Sequence, residues 1–402
     1  MKTGDWKSYV FALAGIGVMV PLAVGLGIYS FTSAVTTTLY PNAAAVPSVT
    51  HDTSFGTWTD AVEQGRQAAR AGVVEKNLPG LSVAVGVGSD LVWAEGFGWA
   101  DLEKKVPVTP AMRFRIGHAS KGLTSAGVGL LLEKKKLHLS DDIQTYVPAF
   151  PKKEWPVTVR QLMGHVGGVR HYDSEADYIS TSHCERASEG VPPFANDPLR
   201  FEPQTQSRYS TFGWVLVSAA VEAAAGESFF PVMRGQVFTP LGMADTVPDT
   251  GTERLANVTA FYTPRFSGDP AFGPEETAPA DYSCFAGAGG FLSTPSDLVR
   301  FGMAMNTGKL LRRDTVTTLH TPVLLASGQE TQYGLGWTLE RVSLAGESTR
   351  MASQASRTLL GGSTSFLTFP ERALVVAVTS NTSFANTRSI ALQIAEAFAE
   401  RK

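Results

Sequence analysis

The sequence predicts an α+β fold in which both ends of the chain build one antiparallel β-sheet and the middle supplies a helical lobe. Hairpins are predicted near each end from short apolar runs that flank a Gly-Ser-Asp turn and a Pro-Glu-Arg turn. The paired runs are residues 81–87 with 91–98, and residues 364–369 with 374–379. A cleft between the sheet and the helical lobe is therefore the expected functional site.

Helical spacing of apolar residues occupies much of the remaining chain. Predicted helices cover residues 58–74, residues 119–136 and residues 214–225, the last ended by Gly226. A closing helix is expected near the C-terminus, where Ile390, Ile394 and Phe398 recur at every fourth position.

The N-terminus contains an uncharged apolar run over residues 9–31, preceded by Lys2 and Lys7. At about 1.5 Å of rise per residue, such a helix crosses a hydrocarbon layer of roughly 30 Å. The preceding lysines favour an N-inside orientation. We therefore expect a cytoplasmic segment 1–8, a single-pass anchor 9–31 in the inner or plasma membrane, and a domain facing the periplasm or cell exterior. A cleaved signal peptide, with processing at Ala34 or Ala45, is the alternative.

Composition indicates a globular protein after the anchor. Residues 32–50 are uncharged and rich in Thr, Ala, Pro and Ser, which predicts a flexible linker before a domain at 51–402. A net charge of −3 makes nucleic acid a poor partner. Cys184 and Cys284 match no metal-ligand spacing, and we expect two free buried thiols, with a disulfide as the alternative. His171, His183 and His320 form no metal-ligand pattern, so no metal or cofactor is predicted.

Several segments, taken in order, resemble the serine β-lactamase/penicillin-binding-protein-like superfamily, especially its class C and mitochondrial serine β-lactamase-like branches. They are FRIG at 114–117, LMGHVGGV at 162–169, FEPQTQSRYSTFG at 201–213, PLGM at 240–243, AGGFLSTPSDL at 288–298 and YGLGW at 333–337. The resemblance implies an antiparallel sheet flanked by helices with an inserted helical lobe. It also implies acyl transfer, in which a serine attacks an ester, amide or lactam carbonyl.

The family motif S-x-x-K falls on His118-Ala119-Ser120-Lys121, so a histidine stands where the nucleophilic serine is expected. By resemblance, Lys121 is the family lysine and Tyr209 is the tyrosine that helps to move the proton. Three explanations stay open: the site is inactive, Ser120 acts as nucleophile, or His118 is itself the nucleophile or general base. Ser120 lies two positions on, about 200° around a helix, and should face away from the cleft.

Substrate-binding positions are also altered. Thr211 replaces the asparagine of class C enzymes, as in the mitochondrial-type branch. The strand that normally carries K-T-G or H-T-G aligns with Arg357 and Thr358, with the glycines displaced to Gly361. The bulky pair at 359–360 would narrow the cleft, while Arg357 has the chemistry to bind a carboxylate.

The expected function is ester, amide or peptide acyl transfer or hydrolysis on a small acyl or peptide substrate, with catalytic competence in doubt because of His118. One alternative is a catalytically inactive protein that binds cell-wall peptide or a protein partner. Another is a self-assembling scaffold. The sequence leaves the oligomeric state open.

Overall fold

The protein is described by a computed structural model that covers residues 37–51, 56–179, 181–251, 255–266, 268–358 and 361–400. The strands are β1 Ser48–Thr50, β2 Gly80–Val87, β3 Asp90–Asp101, β4 Val106–Pro107, β5 Phe114–Arg115, β6 Val247–Pro248, β7 Tyr262–Pro264, β8 Pro274–Glu276, β9 Phe291–Ser293, β10 Thr338–Leu344, β11 Glu347–Thr358, β12 Gly362–Phe369 and β13 Leu374–Ser380. The helices are α1 Thr59–Glu75, α2 Ser120–Glu133, α3 Val159–Met163, α4 Pro192–Ala195, α5 Phe212–Ala225, α6 Phe229–Met233, α7 Pro295–Thr307, α8 Arg313–Leu319 and α9 Thr387–Ala399.

The main sheet is antiparallel and runs in the order β1-β3-β2-β13-β12-β11-β10, with β4 paired to β3 at its edge. The two terminal hairpins meet where β2 pairs with β13, in a register that places Val83 opposite Val378. This confirms the predicted α+β fold with one sheet shared by both ends of the chain.

The sheet separates two apolar cores, because successive side chains of a strand point to opposite faces. On β13, Val376 contributes to the core beneath α1 and α9, while its neighbour Ala377 contributes to the core beneath the helical lobe. Ile390, Ile394 and Phe398 of α9 are all buried in the first core, as their spacing predicts. The second core extends through α2, α5 and α7 and supports the cleft.

The expected linker is partly packed on the domain. Tyr40 and Val46 are buried, the Tyr40 hydroxyl donates to the Pro79 carbonyl at 2.5 Å, and β1 pairs with β3. The expectation of an unpacked linker is therefore wrong for residues 37–50. Two apolar side chains and the free edge of β3 together give this short segment enough contacts to order it.

The predicted anchor, residues 9–31, lies outside the described residues. Within the described part of the chain, no single helix combines the length and hydropathy needed to cross a bilayer. Phe212–Ala225 and Phe229–Leu241 meet that requirement only together, as a pair bent by 76°.

Cys184 and Cys284 form a disulfide, with Cα atoms 4.9 Å apart, so the expectation of two free thiols is wrong. The Cys184 N–H donates to the Ser283 hydroxyl at 2.8 Å, which fixes the two segments side by side. Local sequence patterns do not indicate this proximity, because 100 residues separate the two cysteines.

Candidate active site

The N-terminus of α2 places the motif residues at the edge of the sheet. A short 3₁₀ turn, Gly117–Ala119, enters the helix, and Gly117 adopts a φ of 47° that favours glycine. The main-chain N–H of His118 donates to the Ser356 hydroxyl of β11 at 3.0 Å. The resemblance aligns the K-T-G motif with β11. The turn that carries His118 therefore contacts the strand that the resemblance places beside it.

Lys121 and Tyr209 are brought together in the protein interior. The Lys121 ammonium position contacts the Tyr209 hydroxyl, and Nζ lies 3.9 Å from the tyrosine ring centroid. Burial lowers the pKa of the Lys121 amine well below its usual range and raises the pKa of the Tyr209 hydroxyl well above its own. Both effects favour the neutral forms, which suits a pair that passes a proton rather than one that holds a charge.

His118 lies beside this pair and opens onto the cleft on one side. Its Nε2 is 3.3 Å from the Thr211 hydroxyl, and its ring centroid is 5.4 Å from that of Tyr209. Burial lowers the pKa of His118 well below its usual value, and a proton on Lys121 would lower it further. The imidazole is therefore neutral at neutral pH.

Two further histidines complete this cluster. The Nδ1 of His165 accepts from the Ser210 N–H at 3.2 Å, and the Nδ1 of His171 accepts from the Thr211 N–H at 3.3 Å. Burial and Lys121 lower the pKa of His171 to about 4. We call His118, Lys121, His165, His171, Tyr209 and Thr211 the polar end of the cleft. The sequence analysis considered His171 only as a metal ligand. Its position shortly after LMGHVGGV was the one sign that it lies near the site.

Ser120 is not part of the polar end. It is completely buried, its Oγ has no hydrogen-bond partner among the described residues, and it does not line the cavity beside His118. This position agrees with the orientation predicted from the helix.

The strand predicted to bind substrate, β11, contacts His118 through Ser356, a residue that the sequence analysis did not single out. The backbones of Arg357 and Thr358 pair with Ser363 and Gly362, and their side chains lie outside the described part of the structure.

Gly361, which was predicted to bind substrate, is explained by backbone conformation and packing. Its φ is 77°, its N–H donates to the Ser383 hydroxyl at 2.8 Å, and a Cβ there would lie 2.4 Å from that of Phe261. Glycine is thus required by backbone conformation and close packing, and the residue does not line the cavity beside His118.

A cavity of about 240 Å³ extends from His118 and His171 into a wall of aromatic side chains. We call this wall, formed by Tyr172, Tyr178, Tyr282 and Phe285, the aromatic end of the cleft. The Phe285 ring centroid lies 5.8 Å from that of Tyr172 and 5.6 Å from that of Tyr282. No motif in the sequence marks this wall, because its residues come from two segments about a hundred positions apart.

Arg115 and Asp249 form a buried ion pair at the floor of the cavity, with Nε and Oδ2 2.8 Å apart. The Arg115 guanidinium also lies over the rings of Phe261, at 4.1 Å, and Tyr282, at 5.0 Å. Its charge is thereby compensated within the protein, so the floor carries no net charge of its own. Among the residues that the structure describes, no group of three or more His, Cys, Asp or Glu side chains is arranged to hold a metal ion.

Comparison with known proteins places this geometry in a family. The family model "Beta-lactamase" matches residues 60–399. The chain is 28% identical to the human serine beta-lactamase-like protein LACTB, mitochondrial, over 84% of this chain and 80% of that protein. It is also 28% identical to penicillin-binding protein 4* of Bacillus subtilis, over 66% of this chain and 61% of that protein.

Among solved structures, the D-amino acid amidase from Ochrobactrum anthropi SV3 complexed with D-phenylalanine has the same fold. The TM-score is 0.72 at 23% identity, with 85% of this chain and 100% of the amidase covered. Since the family model spans nearly the whole described domain, the chain belongs to the beta-lactamase family, within the serine β-lactamase/penicillin-binding-protein-like superfamily.

Proposed function

We propose that this protein binds acyl, amide or peptide ligands in its cleft and does not turn them over through an acyl-serine intermediate. One observation carries the proposal: the side chain presented to the cleft at the nucleophile position is the His118 imidazole, and among the described residues no serine lines the cavity beside it. Lys121 and Tyr209, which by resemblance move the proton, are in contact, and this supports a site that keeps its proton-transfer groups without the serine.

Ser120 is a poor substitute for the missing serine. Its hydroxyl is completely buried and has no partner among the described residues, whereas Lys121, the adjacent base, contacts Tyr209. A nucleophilic hydroxyl needs a base within hydrogen-bond reach, about 2.6–3.2 Å, and access to the substrate carbonyl.

His118 is also poorly placed to act as nucleophile. Its Nε2 already lies at hydrogen-bond distance from the Thr211 hydroxyl. A ring nitrogen of histidine also lies further from the main chain than a serine oxygen, and a misplacement of about 1 Å lowers the rate on the order of 100-fold.

Turnover of p-nitrophenyl butyrate by the full chain tests the proposal. We expect wild type and His118→Ala to be equally inactive above the buffer background. His118→Ser restores the hydroxyl beside Lys121 and should raise kcat/KM at least about 100-fold, the lower range for positioned general-base catalysis. His118→Ala is the matched control, since it removes the imidazole without adding an oxygen.

Two results would contradict the proposal. Wild-type turnover that disappears in His118→Ala would make the imidazole the working group. Wild-type turnover that disappears in Ser120→Ala would show that the nucleophile has moved along the helix.

We further propose that the domain is exported and held at the membrane by residues 9–31. The apolar run preceded by lysines supports an anchor, and the Cys184–Cys284 disulfide supports an oxidising compartment. Membrane fractions washed with alkaline carbonate should retain the full chain and release a variant that starts at Thr37. Release of the full chain by the same wash would reject the anchor.

A further inference from the structure

We infer that the aromatic end of the cleft binds an uncharged aromatic ring carried by the ligand, and that this ring is the main determinant of ligand choice. The inference rests on the proposed ligand-binding function and adds a chemical class to it. Four aromatic side chains surround the part of the cavity that lies beyond His118, so an acyl or amide group at His118 would direct its substituent toward them.

The cavity has the size for a single ring. Its volume is about 240 Å³, and an apolar cavity of about 150 Å³ is sufficient to bind benzene. The Phe285 ring packs edge-to-face on Tyr172, with centroids 5.8 Å apart, and is tilted against Tyr282 at 5.6 Å. Both distances are in the range of favourable aromatic pairs. A ring inserted among them would gain contacts of the same type.

The charges around the cavity decide between a neutral and a cationic ligand. A wall of tyrosines is also the type of site that binds quaternary ammonium groups. Here, however, the Arg115 guanidinium already lies over the Tyr282 ring, so that face of the wall has its cation. A cationic ligand would have to compete with this guanidinium for the ring, and the nearby Asp249 carboxylate, which could attract a cation, is already paired with Arg115. A neutral ring is therefore the preferred occupant.

An anionic ligand is disfavoured for a related reason. The guanidinium Nε is bound to the Asp249 carboxylate at 2.8 Å, and Nη2 donates to the Ala280 carbonyl at 3.3 Å. Arg115 is therefore already engaged by a carboxylate of the protein, and an anion in the cavity would have to compete with Asp249.

Four probes separate these possibilities when titrated into the full-length protein by ligand-observed NMR. Phenylacetamide carries a neutral ring and an amide, propionamide only the amide, benzyl alcohol only the ring, and benzyltrimethylammonium a ring with a cation. We expect phenylacetamide to bind at least tenfold more tightly than propionamide, and benzyltrimethylammonium to bind more weakly than phenylacetamide.

Matched variants locate the ring. Tyr178→Ala should raise the Kd of phenylacetamide roughly three- to tenfold, the expected loss of one aromatic contact. Tyr178→Phe keeps the ring and should keep the affinity. Ile179→Ala changes the next residue, whose side chain is 48% exposed, and should also leave affinity unchanged. Tm measurements on each variant establish that the fold is retained.

The outcomes distinguish this inference from the proposed function. Equal affinity for phenylacetamide and propionamide would overturn the inference while leaving amide binding intact. Binding of benzyl alcohol as tight as that of phenylacetamide, and sensitive to Tyr178→Ala, would support the ring site and contradict amide binding at His118. Tighter binding of benzyltrimethylammonium would overturn the choice of a neutral ring, as would an equal loss of affinity in Ile179→Ala and Tyr178→Ala.

Discussion

The polar end and the aromatic end of the cleft differ in what holds them together. The polar end is built around the start of α2 and the segment before α5, where buried neutral groups hydrogen-bond to one another. The aromatic end consists of two loop segments that the Cys184–Cys284 disulfide connects. Because different segments hold the two ends, we expect a substitution at position 118 to change the chemistry at the polar end while the contacts at the aromatic end persist. Turnover and ligand binding should then be separable.

The largest expected effect concerns the polar end. In the His118→Ser background, Lys121→Ala should lower ester turnover about 100- to 10,000-fold, because the restored hydroxyl loses its proton acceptor. Phenylacetamide affinity should change little, since Lys121 does not line the cavity. Steady-state kinetics and NMR titration measure the two quantities on the same variant. An activity of His118→Ser that survives Lys121→Ala would mean that the new serine works without the scaffold.

Removal of the disulfide tests what holds the aromatic end in place. The double substitution Cys184→Ser and Cys284→Ser should reduce the free energy of unfolding by about 2–5 kcal/mol, because the disulfide closes a long loop in the unfolded chain. Phe285 directly follows Cys284, so ring binding should weaken as well. Urea unfolding and phenylacetamide titration are the measurements. A matching fall in turnover when the same change is made in His118→Ser would show that the two ends are not separable.

His171 should make the stability of the folded protein depend on pH, in a direction that its lowered pKa determines. Because the folded protein holds this imidazole with a pKa of about 4, the unfolded chain binds the additional proton first as pH falls. Stability should therefore decrease from about pH 6.5 to pH 4, by about 2 kcal/mol from this residue after allowance for its partial exposure. Urea unfolding at pH 7 and pH 4.5 should show a smaller difference in His171→Gln than in wild type.

The exposed His138 provides the control for that measurement, since His138→Gln alters a histidine outside the cleft. Some pH dependence should remain in His171→Gln, because burial also lowers the pKa values of His118 and His165. An unchanged difference in His171→Gln would contradict the assignment.

The smallest expected effect is at Ser120. Its buried hydroxyl lacks a partner among the described residues, so Ser120→Ala should increase the free energy of unfolding by about 1 kcal/mol. Turnover by His118→Ser should be unaffected by the same change. Thermal unfolding and kinetics of the double variant provide the comparison, and a loss of stability would show that the hydroxyl has a partner after all.

Sequence reasoning was most successful where local pattern and packing agree. The hairpins and the helix before Gly226 were predicted to within about three residues of their bounds, and the closing helix was predicted from the spacing of Ile390, Ile394 and Phe398. It was least successful for contacts between distant segments, as at the Cys184–Cys284 pair. Substrate binding by Arg357 and Thr358 stays a prediction. The structure adds a contact that local patterns did not indicate, between the His118 N–H and the Ser356 hydroxyl of β11.

By itself, the sequence determined the α+β fold, the family, and the replacement of serine by His118 beside Lys121 and Tyr209. These follow from residues that are close in the chain or that occur in a fixed order. The tertiary structure alone decided that Ser120 is buried, that three histidines surround Tyr209, and that an aromatic wall lies next to His118. Each of these depends on side chains from segments that only the packed sheet and helical lobe bring within contact distance.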